Sequence, residues 1–164
     1  MEMRVFGRTG MQLSVLGFGC GAVGGLMVRG DPRDQERTIA RAIAAGVGVV
    51  GIRVLAGGAL SGSAERHPIA SPPPEPIGSA MSYDADVARA GRLKPLVEEG
   101  FAASLTEVAT RFALSHPAMG TVLVGMATPQ QFEDALAAVE KGPLPQAALE
   151  RLSVLQQEFV GESR

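Results

Sequence analysis

Apolar and polar residues along the chain predict a short hairpin followed by alternating strands and helices. Residues 3–6 and 12–15 flank a turn at residues 7–10 that has a glycine at each end, as in a β-hairpin. Residues 15–19 are predicted to form a short apolar strand before a glycine-rich loop. Residues 121–124 are predicted to form another short strand. Residues 47–55 are rich in β-branched side chains and nearly continuously apolar, which is typical of a strand buried on both faces in a parallel sheet. This alternation indicates an α/β fold.

Helix signals are clearest after Gly30 and after Ser104. Asp31 is a suitable N-cap, Pro32 suits the first helical position, and Gly46 is placed to end the helix. Ser104 and Glu107 have the spacing of a reciprocal capping pair, which predicts a helix over residues 105–115. The remaining helices are predicted over residues 84–99, 129–139 and 147–159, and a proline at position 95 is expected to kink or break the first of them.

A long loop separates the predicted strand 47–55 from the C-terminal helices. Residues 56–81 contain glycines, serines and the proline-rich run at residues 72–76, which favours extended polyproline geometry over a helix or a sheet. Because structureless loops of this length are uncommon inside compact domains, we expect a functional or mobile segment here.

Composition limits the size of the fold and its partners. The chain has 164 residues, 46% of them apolar, which suffices for one domain but not for a complete (β/α)8 barrel of roughly 250 residues. A net charge of -2 with scattered Lys and Arg gives no basic stripe, so nucleic acid is not expected as a partner. Arg53 and several glycines interrupt the apolar stretches, so no membrane-spanning segment is predicted. One cysteine and the lack of a signal-peptide pattern favour a cytoplasmic protein.

Few residues suggest chemistry on their own. Gly19, Gly21 and Gly24 match the spacing G-x-G-x-x-G, but the predicted helix begins several residues later and Ala44, not an acid, lies 20 positions on. Both departures argue against a Rossmann fingerprint. His67 and His116 have no partners at metal-ligand spacing, so no metal site is expected and capping or surface roles are favoured.

Tyr83, Lys94 and Cys20 are the remaining candidates for catalysis. Tyr83 and Lys94 are separated by eleven residues, and a Tyr-Lys acid pair is conceivable although the spacing does not enforce it. Cys20 follows a strand in a glycine-rich loop, where a small side chain suits a crowded pocket or a tight core better than a reactive thiol role.

Several segments resemble bacterial aldo/keto reductases. VFGRTGM at residues 5–11 and LGFGCG at residues 16–21 resemble the bottom hairpin and first strand of that family. GIRVLAGGALSG at residues 51–62 resembles its seventh strand and the loop that lies on the cofactor pyrophosphate, and VLVG at residues 122–125 resembles its eighth strand. TPQQFEDA at residues 128–135 resembles the turn and helix that hold the adenosine end. The resemblance implies one truncated domain with a partial TIM-barrel-like α/β fold, comprising an N-terminal β-hairpin and about three parallel strands with flanking helices.

The resemblance has two blocks, residues 1–46 and residues 47–164, which include the long loop 56–82. In a complete family member strands two to six would separate them, together with the aspartate, tyrosine, lysine and histidine of the catalytic tetrad. The resemblance therefore implies an NAD(P)-dependent oxidoreductase family protein that is catalytically incomplete, so no catalytic residue is assigned. The cofactor positions that it implies are Gly19, Cys20, Gly21, Leu55, Gly57, Gly58, Leu60, Gly62, Gly125, Thr128, Gln131 and Asp134. Ala127 and Ala135 replace an arginine and an asparagine of many members, which leaves the choice between NADP and NAD open.

The joined blocks constrain the topology. In a complete barrel strand eight lies between strands seven and one, and keeping that order here would require a left-handed crossover, which is rare. Residues 47–55 could instead pair beside the first strand in an open sheet, or exposed edges could pair between chains in a swapped homo-oligomer. Either way a monomer would expose an apolar patch, so we expect self-association or poor solubility. Three functions follow: an incomplete reductase, a non-catalytic dinucleotide-binding or assembly protein, or an enzyme that uses Tyr83 or Lys94.

Overall fold

The structure is a computed structural model that describes residues 2–19, 26–76, 81–157 and 159. Cys20 and Gly21, two of the predicted cofactor positions, lie outside the described residues. The chain divides into two compact units, the first comprising Met1–Ile52 and His116–Leu123 and the second Arg53–Ser115 and Val124–Arg164.

The described residues of the first unit form a hairpin, a parallel sheet and two helices. Strands β1 (Met3–Val5) and β2 (Gln12–Ser14) pair antiparallel, and strands β3 (Gly17–Gly19), β4 (Gly48–Gly51) and β5 (Met119–Val122) form a parallel sheet in the order β3-β4-β5. Helices α1 (Leu26–Arg29) and α2 (Pro32–Ala44) lie between β3 and β4 in sequence. The expected hairpin and three parallel strands with flanking helices are therefore confirmed.

The central position of β4 distinguishes this sheet from the complete barrel described above. Only three residues separate the end of α2 from β4, and β4 pairs with β3 in parallel register, Phe18 opposite Val49. Its other edge pairs with β5, and Val49 is buried. The strand order matches the open sheet, in which residues 47–55 take the place beside the first strand.

Local signals set the bounds of α2. The Asp31 carboxylate accepts a hydrogen bond from the Arg33 amide at 2.8 Å, and Pro32 occupies the first helical position. Gly46 follows the helix with a left-handed φ of 68°, and the Val47 amide donates to the Ala42 carbonyl. This predicted helix is confirmed, whereas the four-residue helix α1 that precedes it was not predicted.

The second unit is mainly helical. Its helices are α3 (Tyr83–Gly91), α4 (Pro95–Glu98), α5 (Leu105–Ala113), α6 (Pro129–Glu140) and α7 (Gln146–Gln157). The core contains buried side chains from or beside α4, α5 and α7, namely Leu96, Ala102, Val108, Leu144, Ala148, Leu152 and Leu155. Among the described residues, no helix is long and apolar enough to cross a membrane.

Three elements differ from the sequence-based predictions. The predicted strand 47–55 ends at Gly51, since Arg53 adopts a left-handed φ of 55° that an extended strand cannot contain. Strand β5 begins two residues before the predicted position 121 and ends at Val122. The loop 56–81 contains 3-10 turns at Ala56–Ser61 and Pro68–Ala70 and is not structureless where described. As predicted, the helix 84–99 is broken before Pro95.

A candidate dinucleotide-binding site

Residues 55–62, called the glycine loop below, contain five of the twelve cofactor positions that the sequence resemblance implies. Left-handed φ angles occur at Ala56, Gly57, Gly58 and Gly62, with values of 50°, 68°, 106° and 77°. Helices α3 and α5 both pack against the loop, and Ala59 at its centre is only 1% exposed. The glycine loop is thus a tightly wound segment anchored on two helices.

Glycine is required at two positions because other parts of the chain approach the backbone closely. A Cβ at Gly57 would overlap the ring of Pro74, and a Cβ at Gly58 would lie 2.9 Å from Nη1 of Arg66. Both residues also adopt φ angles that side chains rarely tolerate. Because neither glycine has a side chain, other parts of the chain can pack closely against the backbone of the loop.

Arg66 holds the glycine loop from one side. Its Nη1 donates to the Gly57 carbonyl at 2.6 Å, while Nε and Nη2 donate to the Ala70 carbonyl at 3.0 and 2.7 Å. The guanidinium carbon lies 4.7 Å from the centroid of the Tyr83 ring, and the Tyr83 hydroxyl donates to the Ser63 carbonyl at 3.1 Å. These contacts fix the loop and place a permanent positive charge beside it.

A second arginine is also close to the glycine loop. Arg53 Nη2 donates to the Glu75 carbonyl at 2.7 Å, and the same nitrogen lies 3.7 Å from the Cβ position built on Gly57. Two guanidinium groups therefore flank Gly57. A phosphate group near this residue would meet favourable charge from both of them.

Some amides of the glycine loop already donate within it. The Gly58 and Leu60 amides donate to the Leu55 carbonyl at 2.8 and 3.2 Å, and the Gly62 amide donates to the Ala59 carbonyl at 3.0 Å. A phosphate bound by the Gly58 or Gly62 amide would compete with these bonds in this conformation.

Three further implied positions, Thr128, Gln131 and Asp134, lie at the N-terminus and in the first turns of α6. Thr128 is the N-cap, its hydroxyl accepting from the Gln131 amide at 3.3 Å, and Gln131 Oε1 accepts from the Ala127 amide at 2.6 Å. Asp134 accepts from the Gln130 side chain at 2.9 Å, and no acidic residue lies in the first turn. Thr128 and Gln131 therefore cap the helix, whose positive dipole end suits an anion.

The remaining implied positions lie apart along the chain. Gly125 is an exposed residue between β5 and α6 in the second unit, whereas Gly19 ends β3 in the first unit. Ala135, which replaces an asparagine of many family members, is buried in α6. The structure thus brings Leu55, Gly57, Gly58, Leu60 and Gly62 together in one loop and places the α6 positions on one helix.

Neither histidine is placed as a catalyst or a metal ligand. His67 Nδ1 accepts from the Ile69 amide at 3.3 Å, and His116 Nδ1 accepts from the Ala118 amide at 3.1 Å, so both cap tight turns. This agrees with the capping role favoured from the sequence. Within the described parts of the chain, no group of three His, Cys, Asp or Glu side chains could hold a metal ion.

Two residues in contact with the glycine loop were missed by the sequence analysis. Arg66 and Pro74 lie in the segment that was predicted to be an irregular loop, and no motif at either position singles them out. The available signal was indirect: adjacent glycines at positions 57 and 58 indicate that some part of the chain approaches the backbone closely there.

Comparison with known proteins assigns most of the chain to one family. The family model of the aldo/keto reductase family matches residues 16–156 of the 164-residue chain. No curated protein matches the chain. The matched range contains the three-stranded parallel sheet, the glycine loop and α6. The chain therefore belongs to the aldo/keto reductase family.

Proposed function

We propose that the chain binds a nicotinamide dinucleotide, NADP or NAD, through the glycine loop and the N-terminus of α6, and that it does not reduce carbonyl compounds. The observation that carries the proposal is the glycine loop itself. Gly57 and Gly58 adopt left-handed conformations and have no side chains, and Arg53 and Arg66 supply positive charge beside them. Backbone without side chains next to guanidinium groups suits a pyrophosphate.

The α6 terminus would hold the other end of the same ligand. Its first turn contains no carboxylate, and its helix dipole favours an anionic group. By sequence resemblance, Gln131 and Asp134 match the positions that contact adenosine in the family. A bound nicotinamide would supply hydride chemistry, and the residues of this chain would hold the dinucleotide in place.

The contacts of the two candidate acids support the proposal that the chain is catalytically incomplete. Reduction of a carbonyl requires an acid that protonates its oxygen. The chain has one tyrosine, Tyr83, whose hydroxyl donates to the Ser63 carbonyl while its ring lies against Arg66. Lys94 is an exposed residue that precedes α4. The Tyr83 hydroxyl lies 3.3 Å from the Cβ position built on Gly58, but it already donates to the Ser63 carbonyl, and Lys94 is exposed. An enzyme based on this pair therefore has little support.

Titration with NADH and NADPH, followed by nicotinamide fluorescence, is expected to show binding without turnover of a broad panel of aldehydes. Arg66→Gln should weaken dinucleotide binding by about tenfold, since a hydrogen bond to a charged group contributes about 1.5–3 kcal/mol. Arg4→Gln is the matched control because Arg4 is an exposed arginine of the first unit that pairs with Glu2. Aldehyde turnover would refute the loss of activity, and no binding would refute the dinucleotide role.

Assembly between copies is a second candidate, favoured by one observation in the first unit. The register Arg4↔Leu13 and the Phe6 amide's bond to the Met11 carbonyl place Phe6, Met11 and Leu13 on one face of the hairpin. These side chains are 57%, 52% and 45% exposed. The sheet also has two edge strands, β3 and β5. Such surfaces favour pairing with another copy.

Light scattering is expected to show self-association of the purified chain at micromolar concentration. Phe6→Lys should reduce the average mass because it places a charge on the apolar hairpin face. Ile69→Lys is the control, since Ile69 is 73% exposed but belongs to the second unit. A monodisperse monomer for the unaltered chain would contradict the assembly function.

A further inference from the structure

Helix α6 has an exposed apolar stripe in the second unit. Phe132, Leu136 and Val139 follow one another at intervals of four and three residues, which places their side chains on one face of the helix. They are 50%, 44% and 44% exposed. Ala135 and Ala138 are buried, so α6 packs within its unit through another face. The three large side chains, called the α6 stripe below, therefore offer apolar surface for a further contact.

Two carboxylates border the α6 stripe. Glu133 and Glu140 are about two helical turns apart and lie on the same side of the stripe. Both are exposed, and neither forms an ion pair within the described residues. The adjacent cation, Lys141, is bound to Glu107. The stripe is therefore bordered by negative charge that is available to a partner.

The apolar hairpin face described above belongs to a segment of opposite charge. Residues 3–14 contain Arg4 and Arg8 and no acid. Arg4 pairs with Glu2. Arg8 is exposed in the turn and has no ion-pair partner in the part of the chain that the structure describes. The hairpin thus combines an apolar face with a positive charge that is available to a partner.

Charge favours pairing of these two surfaces with each other over pairing of either with itself. Two copies of α6 packed antiparallel about Leu136 would bring Glu133 of one copy close to Glu140 of the other, and like charges across an interface are unfavourable. Two hairpins packed on each other would offer no free acid to Arg8. A hairpin packed on α6 combines apolar contact with attraction between opposite charges.

We propose that the hairpin of one copy docks on α6 of a second copy. The apolar hairpin face packs against the α6 stripe, and Arg8 approaches the carboxylates of Glu133 and Glu140. This inference rests on the assembly function proposed above and identifies the surface on the second copy that the hairpin contacts. The two contact surfaces differ, so the contact is heterologous and can repeat from copy to copy. The assembly therefore grows beyond a dimer.

The test mixes two variants that each lack one surface. Phe6→Lys blocks the hairpin face, and Leu136→Lys blocks the α6 stripe. Each variant alone is expected to be monomeric in sedimentation velocity ultracentrifugation at concentrations where the unaltered chain assembles. An equimolar mixture should form a dimer, because one variant supplies an intact stripe and the other an intact hairpin. The dimer cannot extend further, since its two remaining surfaces are blocked.

Charge reversal tests the choice of partner surface. Arg8→Glu should weaken the association by about threefold, the effect expected of one exposed ion pair, and so should the joint change Glu133→Arg with Glu140→Arg. Combining all three changes restores opposite charges and should recover the association of the unaltered chain. A combined variant that associates no better than Arg8→Glu would overturn the assignment of these charges.

Ala137→Lys is the matched control for Leu136→Lys. Ala137 is exposed on the same helix but lies about 100° around it from Leu136, so its substitution should leave assembly unchanged. Assembly of Leu136→Lys at the level of the unaltered chain, with Phe6→Lys monomeric, would overturn this proposal and indicate that hairpins pair with each other. A monomeric unaltered chain would overturn the assembly function itself, and this proposal with it. Circular dichroism establishes that each variant is folded.

Discussion

Replacing Glu107 with alanine is expected to lower the free energy of unfolding by about 3–4 kcal/mol, because it removes one member of a buried ion pair. The Glu107 and Arg111 side chains are 8% and 10% exposed, and their charged atoms lie 2.8 Å apart. The other carboxylate oxygen accepts from Lys141 at 2.8 Å and from the Ala103 amide at 3.1 Å. Truncation would leave the buried Arg111 guanidinium without its anion.

The effect should extend beyond α5. Arg111 also donates to the Phe101, Gly142 and Pro143 carbonyls at 3.3, 2.9 and 3.0 Å, and therefore ties α5 to the segment between α6 and α7. Urea unfolding followed by the helical circular dichroism signal measures the loss. Lys141→Ala is the control, since Lys141 is half exposed and its removal should cost less than about 1 kcal/mol. Equal losses in the two variants would contradict the assignment of Glu107 and Arg111 as the principal pair.

The same carboxylate predicts a dependence of stability on acid pH. Burial disfavours the charged form of Glu107, but hydrogen bonds from Lys141, Ala103 and Arg111 outweigh it, so the pKa of Glu107 lies below its ordinary value. The unfolded chain therefore binds a proton more readily than the folded one. The contribution of the Glu107 carboxylate to the free energy of unfolding is complete above the unfolded pKa of about 4.3. It is lost as the pH falls through the lower folded pKa. In Glu107→Gln this part of the acid dependence should be missing.

Elements defined by local chemistry were predicted correctly. The bounds of α2 follow from Asp31, Pro32 and Gly46, whose effects act within a few residues. A proline in the interior of a helix breaks it, as Pro95 does here. The end of β4 was not predictable in this way. Arg53 carries no local signal for a left-handed φ, and its side chain bonds to the carbonyl of Glu75, 22 residues away.

The candidate site shows the same division between local and distant contacts. The family resemblance predicted the glycine loop from the sequence. Arg66 and Pro74, which contact this loop, are identified only by the folded structure. Glu107 was predicted as the reciprocal partner of Ser104. The Ser104 hydroxyl does accept from the Glu107 amide, but the carboxylate reaches the Ala103 amide and a lysine 34 residues away. Capping motifs identify the helix start, while distant charges decide where a long side chain points.

Replacing Gly57 with alanine is expected to lower the free energy of unfolding by about 3 kcal/mol. About 1–2 kcal/mol comes from a left-handed φ of 68° at a residue with a side chain. The rest comes from overlap of the new methyl group with the ring of Pro74, since overpacking costs about 1–3 kcal/mol. The same variant should also lose dinucleotide binding, because it adds a side chain to the backbone that we propose contacts the pyrophosphate.

Gly142→Ala separates the two causes. Gly142 has a nearly equal φ of 72°, yet a Cβ there would meet no atom within 4 Å, so only the conformational cost of about 1–2 kcal/mol applies. Adding Pro74→Ala to Gly57→Ala should recover the packing share, and the coupling free energy of the double-mutant cycle measures it directly. Equal losses for Gly57→Ala and Gly142→Ala, with no coupling to Pro74, would mean that the proline does not press on the loop. The glycine at position 57 would then be needed for its backbone angle alone.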